Sequence, residues 1–316
     1  MSMALSRLAG AWFQPVPAAR LALLRIFVGG YALLYLILRF PNLQSYGDFE
    51  SAQFEPVGPV AALSDTLPAD VVTLLLIAAI GFGAAFVAGW RFALTGPLFA
   101  VLLLWVVSYR NSFGQIFHTE NLMVLGVLIL SLAPAADAHS LDEKAGRTEP
   151  KVEDGYRYGW AIRLICLVTV LAYVVAGLTK LQNAGIDWLT GDVLRNYVAY
   201  DNLRKIELGD VHSPLGAWMV AYTWLFPPQA LFSLAVELGA PLALLGGRAA
   251  RFWMAAAWIF HVGVLAVMAI MFPYQLLGVA FLPFLPVERI WQRFRSTVAG
   301  YRQEAITGRF RPATER

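Results

Sequence analysis

Cysteine is all but missing from this chain: Cys166 is the only one in 316 residues. With no partner it excludes a disulfide scaffold, and no Cys-x-x-Cys pair is available for redox or zinc chemistry. Charge is almost as scarce. Asp, Glu, Lys and Arg supply 14% of the residues, where a soluble domain carries about 25%. Lysine occurs four times against twenty arginines. The His-Glu-x-x-His pattern of zincins, the P-loop and the dinucleotide glycine fingerprint are absent. These gaps exclude an ordinary water-soluble enzyme. What the chain has instead is apolar sequence, 59% of it, in runs longer than the roughly 18 residues that mark a spanning helix. We read an all-α integral membrane protein, a polytopic helical bundle. The net charge of +3 is then a topology signal, and no nucleic-acid partner is expected.

Eight spans are expected, at about Leu21–Phe40, Val71–Gly89, Phe92–Val107, Gln115–Leu132, Trp160–Leu181, Gln229–Leu245, Phe252–Met271 and Pro273–Leu285. Leu215–Phe226 is apolar but too short to cross, and Pro227-Pro228 ends it, so it is expected to be interfacial or re-entrant. The loops set an orientation. Placing the N-terminus inside puts sixteen Lys and Arg on the inner segments and five on the outer ones. This positive-inside bias makes both termini cytoplasmic and points to the plasma (inner) membrane. The first run is too long for a secretory core, so an uncleaved anchor is expected. Three parts follow: a cytoplasmic segment 1–19, a membrane domain 20–286 with a cytoplasmic loop at 134–159, and an Arg-rich cytoplasmic tail 287–316. Within that loop, Asp137–Tyr158 reads as a mobile hydrophilic linker.

Ionisable groups inside spans are costly and usually functional. Arg25 and Arg163 lie near the inner ends of their spans and are expected to snorkel to the headgroups. The others sort to the outer half or the midplane. His118, Glu120 and Asn121 open the fourth span, Lys180 closes the fifth, Glu237 and His261 sit mid-span, and Tyr274 and Gln275 open the eighth. In GQIFHTENLM, Gln115, His118 and Asn121 recur every three residues, so on a helix they share a face that Glu120 does not. Two histidines and a glutamate on separate helices make a weak ligand set, and no metal is expected. Lys180 admits two readings: a snorkelling lysine at a helix end, or a desolvated neutral amine able to act as a base. Arginine could not fill the second role, because guanidinium keeps its proton. His261 is open between a satisfied core histidine and a site residue. Glu237 must be protonated, paired or facing water.

The stretches FGQIFHTENLMVL, AGLTKLQNAGIDWLTGDVLRNY, AVELGAPLALL and FHVGVLAVMAIMFPYQLLGVAFLPF resemble, in order and spacing, the horizontally transferred transmembrane (HTTM) domain. That domain is the membrane part of the vitamin K-dependent γ-glutamyl carboxylases and of many bacterial proteins. The likeness runs from about Arg20 to Arg295. It implies that Lys180, within Gly177-x-x-Lys180-Leu181 and followed by Asp187-Trp188, is the base towards a reduced vitamin K or menaquinol-like quinol. His118 and His261 match the family's histidines. The implied chemistry is deprotonation of the quinol, addition of O₂ and epoxide formation, with CO₂ as a further co-substrate where carboxylation is linked. The animal carboxylases also carry a large lumenal domain and a second cysteine. Here a short Arg-rich tail follows the last span, so the resemblance supports quinol oxygenation better than glutamate carboxylation.

Two functions are therefore carried forward. One is a quinol-deprotonating oxygenase or epoxidase with its active side outward. Its catalytic residues would be Lys180, His118 and His261, and Gln115, Asn121, Asp187, Trp188, Glu237, Tyr274 and Gln275 would contact an isoprenoid quinone or similar lipid. The other is a non-enzymatic carrier, or an assembly partner for a secreted peptide or lipid. A carrier should show internal repeats with matching broken spans, and the sequence has neither.

Overall fold

The computed structural model describes residues 12–148 and 156–307, and every regular element among them is a helix. In chain order the main ones are α1 (Ala18–Leu38), α2 (Ala69–Ala88), α3 (Phe92–Arg110), α4 (Asn121–Ser131), α5 (Tyr156–Ala184), α6 (Asp192–Glu207), α7 (Phe226–Leu238), α8 (Gly247–Met268) and α9 (Val287–Thr307). Five of them, α1, α2, α3, α5 and α8, are long and apolar enough to cross a membrane. The all-helical membrane bundle expected from the sequence is therefore present. α2 packs on α1 and α3, α4 joins this group to α5, and α7 lies against both α5 and α8.

Three of the expected spans are interrupted. α4 has 11 residues, about 16 Å of rise against a hydrocarbon core of about 30 Å. The chain ahead of it is turn and loop, with Gly114 at φ 79°. Gln115, His118 and Asn121 therefore do not share a helical face as their spacing suggested. The sixth expected span breaks at Gly239, where Pro241 tightens the chain into a 3₁₀ segment, Ala240–Leu245. The eighth divides into Pro273–Leu276 and Val279–Phe284, separated by Gly278 at φ 76°. Irregular backbone survives at membrane depth only where protein covers it, and Ala240, Ala243, Ala280 and Phe281 are all buried. Pro214–Met219 and the turn Thr223–Leu225 are too short to span, and Pro227 and Pro228 then open α7.

The stretch expected to be a mobile linker is packed over its first part. Asp137, Ala138, Ser140 and Asp142 are buried. Asp142 accepts the backbone N–H groups of Arg91 (2.9 Å) and Phe92 (2.7 Å), so it caps α3 from outside the helix, and Arg147 Nε donates to it at 2.8 Å. Burial pushes the Asp142 carboxyl up, but these donors outweigh it and hold the group below the usual carboxylate range. Arg25 does not snorkel. It is fully buried, donating to the carbonyls of Ala135 at 2.8 Å and His139 at 2.6 Å, because this same stretch covers it. Residues 149–155 of the expected linker, and 1–11 and 308–316 at the ends, lie outside the described residues.

Candidate functional site

α5 carries Tyr173, Gly177 and Lys180 at spacings of four and three, so the three share a face. A Cβ on Gly177 would stand 2.8 Å from Leu238 Cδ2 and 3.0 Å from Glu237 Cβ. Glycine is what lets α7 close onto α5 at this level. One turn further on, Lys180 Nζ donates to Glu237 Oε1 at 2.6 Å. The glutamate side chain is 4% exposed and the lysine 22%. The carboxylate is thus held behind, and the amine faces open space.

That space is a cavity of about 960 Å³ enclosed by α5, the Gly185–Thr190 turn, α6, α7 and α8, with His118 from the loop before α4 on its wall. Sites for small organic ligands fall in the range of about 300–1,000 Å³. The lining is mostly aliphatic and aromatic, with Lys180, Asn183, Asp187, Gln229 and His118 as polar points. Lys180 Nζ lies 4.9 Å from the centroid of the Trp188 ring and 5.5 Å from that of Phe260, a range at which a cation is attracted to a ring face. Trp188 is itself fixed, since its indole N–H points at the Ala230 carbonyl and the Ser233 hydroxyl, each at 3.2 Å.

α6 forms one wall through Val193, Leu194 and Tyr197. Its start is set by Gly191, whose φ of 80° suits glycine and where an added Cβ would stand 2.5 Å from Pro227 N, so no side chain fits. Its far end is tied to the open carbonyls at the C-terminus of α8. Lys205 Nζ donates to Met268 O at 2.5 Å and Asn202 Nδ2 to Val267 O at 3.2 Å, and Ser213, in the chain beyond α6, donates from Oγ to Ala266 O at 2.5 Å. A lysine at that end also opposes the helix dipole favourably.

The sequence-expected site residues separate into three groups. Lys180, His118, Asp187 and Trp188 line the cavity, and Glu237 backs Lys180. His261 lies one layer behind the wall. Its Nε2 is 2.7 Å from the Tyr173 hydroxyl, and its ring is 4.8 Å from that of Phe272, which in turn is 5.7 Å from the ring of His118. His261 and Glu237 are both buried, so neither points into hydrocarbon. Gln115 and Asn121 are exposed and outside the cavity lining; Tyr274 and Gln275 are buried and also outside it, with the Tyr274 ring 5.0 Å from that of Tyr31 on α1. Sequence reasoning missed Tyr173, Phe260, Asn183 and Gln229. The helical spacing from Lys180 back to Gly177 and Tyr173 is the signal that could have found the first.

Two buried polar atoms beside the cavity, Glu237 Oε2 and His261 Nδ1, make no hydrogen bond among the described residues. Nor, among those residues, do three His, Cys, Asp or Glu side chains gather where they could hold a metal. What the arrangement offers is a close Lys180–Glu237 pair at the edge of a largely apolar, ring-lined space.

A search of curated proteins and of solved structures returned no match. The family model of the HTTM domain matches residues 13–288, which takes in every helix from α1 to α8, and the chain belongs to that family.

Proposed function

We propose that this membrane protein takes a proton from a lipid-like substrate with an aromatic head, of the reduced isoprenoid quinone class, and promotes its oxidation by O₂. The observation that carries the reading is the Lys180–Glu237 pair on the wall of an apolar cavity. Transfer of a proton to Glu237 leaves Lys180 with a free lone pair directed at the cavity, which is what a general base needs. Trp188 and Phe260 flank the amine and offer ring faces to a planar head group. His118 can hydrogen-bond a second oxygen of that head group, and Tyr173 with His261 holds the layer behind. Once bound, the quinol supplies the oxygen chemistry itself. Whether CO₂ also adds to a second substrate depends on parts beyond this cavity.

The cavity lies at the end of the bundle away from the α1 N-terminus, since α5 leaves Arg163 beside Gln14 and reaches Lys180 about 26 Å later. With the positive-inside assignment, the site faces outward. The test is mass spectrometry of the lipids and quinones that co-purify with the detergent-extracted protein. An isoprenoid quinone near one per chain, lost in Trp188→Ala, supports the reading. Phospholipid alone, unaffected by that substitution, favours the carrier alternative, which rests on cavity size.

A further inference from the structure

The functional site leaves α9 unused. Its root is docked: Val287 and Glu288 are buried, and Arg20 grips Glu288 through two bonds of 2.7 and 2.6 Å. Beyond the first turn the helix carries Ile290, Phe294 and Val298 with 51%, 59% and 48% of their surface exposed. These positions are four residues apart and fall within an arc of about 80°. The same helical wheel puts Arg293 along one border of the stripe and Arg295 along the other, while Arg289, Gln292 and Ser296 face away from it.

The charge around this root is one-sided. A cleft of about 120 Å³ beside it is lined by Arg20 and Arg163, and Arg163 donates to the neutral Gln14 at 2.7 Å. Arg20 and Arg289 approach the Glu288 carboxylate at 2.6 and 3.9 Å, while Arg163, Arg293 and Arg295 have no carboxylate within ion-pair distance among the described residues. Three arginines in seven residues prevent α9 from crossing the bilayer. An apolar stripe bordered by arginines is suited to lying in the headgroup layer, with side chains dipping into the acyl region and guanidinium groups at the phosphates. The α1 N-terminus beside the root fixes which end of the bundle that layer covers.

We propose that α9 is an interfacial helix that binds the anionic lipids of the leaflet at the α1 N-terminal end. The phosphates of acidic phospholipids are the partner, and the exposed stripe is the part they draw into the membrane. Basic residues beside a spanning helix each contribute about fivefold to attraction towards an anionic surface.

The test uses the full chain in a Cys166→Ala background, reconstituted in nanodiscs of phosphatidylcholine alone or an equal mixture with phosphatidylglycerol. A nitroxide is placed at Phe294→Cys and, separately, at Gln292→Cys, and its accessibility to O₂ and to a water-soluble nickel complex is read by EPR. In the anionic discs, residue 294 should be accessible to O₂ and shielded from nickel, with the reverse at 292. Arg293→Gln should lower the immersed population at 294 about fivefold, and phosphatidylcholine alone should lower it further. Equal accessibility at 292 and 294 in anionic discs would overturn the proposal. So would immersion indifferent to lipid charge, or spin–spin broadening at 294 that vanishes on dilution with unlabelled chain, which would mean that a second copy covers the stripe.

Discussion

Arg110 and Lys180 both end on a buried glutamate, one in the α1–α4 group and the other between α5 and α7. Arg110 Nη1 sits 3.1 Å from Glu120 Oε2 and donates to the Tyr35 hydroxyl at 3.0 Å, with the Phe117 ring 4.0 Å from its guanidinium carbon. Neither member of that pair lines the cavity. Lys180 and Glu237 are closer, at 2.6 Å, and the amine opens onto about 960 Å³ of space. The chemical difference is that guanidinium does not give up its proton and an amine can. A buried ion pair therefore marks a site only when its members can exchange a proton and when something can reach them. Burial and pairing alone, as at Arg110, hold a loop in place, here the one that presents His118.

Stability measurements separate the two pairs most directly. Arg110→Met strands Glu120 without a cation and should cost about 3–5 kcal/mol, read as a large fall in melting temperature in detergent. Arg110→Met combined with Glu120→Gln should recover most of it. If the single substitution is silent, the pair is not the clamp described. Lys180→Met should cost less, about 1–3 kcal/mol, because Glu237 can take up a proton beside the cavity. A loss equal to that of Arg110→Met would mean that the two pairs are equivalent.

Gly177 sharpens the same contrast from the backbone side. Gly177→Leu overpacks the α5–α7 contact at a cost of about 1–3 kcal/mol and should separate Lys180 from Glu237. Gly177→Ala should be mild, since Leu238 Cδ2 is the end of a side chain that can turn aside. Equal effects would show that the close approach does not matter. The smallest effect is expected at Asp142. Its carboxyl is held below the usual range in the folded protein, so its stabilising effect is complete above the unfolded value of about 3.9 and is lost as pH falls through the lower folded value. Asp142→Asn should cost about 1 kcal/mol at pH 7 and flatten the fall in melting temperature below pH 4. An unchanged acid profile would remove the cap from the account.

How much of this was legible in the sequence follows from what each signal measures. Long apolar runs report burial from water, so α1, α2, α3, α5 and α8 were visible at once. The same runs cannot say whether the backbone stays helical, so the breaks at Gly239 and Gly278 and the late start of α4 were not. α6 was hidden for the opposite reason: DVLRNYVAYDNLRKIE is too polar for a span, and its place as a cavity wall depends on Lys205 and Asn202 reaching carbonyls more than 60 residues away. Lys180, Glu237 and His118 stood out because polar residues in apolar sequence are rare, and Asp187 and Trp188 through the resemblance; Lys180, His118, Asp187 and Trp188 line one cavity, with Glu237 paired to Lys180. Gln115, Asn121, Tyr274 and Gln275 were grouped with them by the same rule, yet they lie elsewhere. Rarity flags a residue without saying which way it faces. Arg25 shows the limit most plainly, because its burial is decided by a stretch more than a hundred residues later.

The central claim is that Lys180 moves a proton. The most direct test is oxygen uptake by the purified protein on a reduced menaquinone-type quinol, comparing the native chain with Lys180→Arg. Arginine preserves the charge and the pairing with Glu237 but cannot serve as the base, so the rate should fall by about 10²–10⁴-fold, and small amines should partly restore activity to Lys180→Ala. Full native activity in Lys180→Arg would contradict the account.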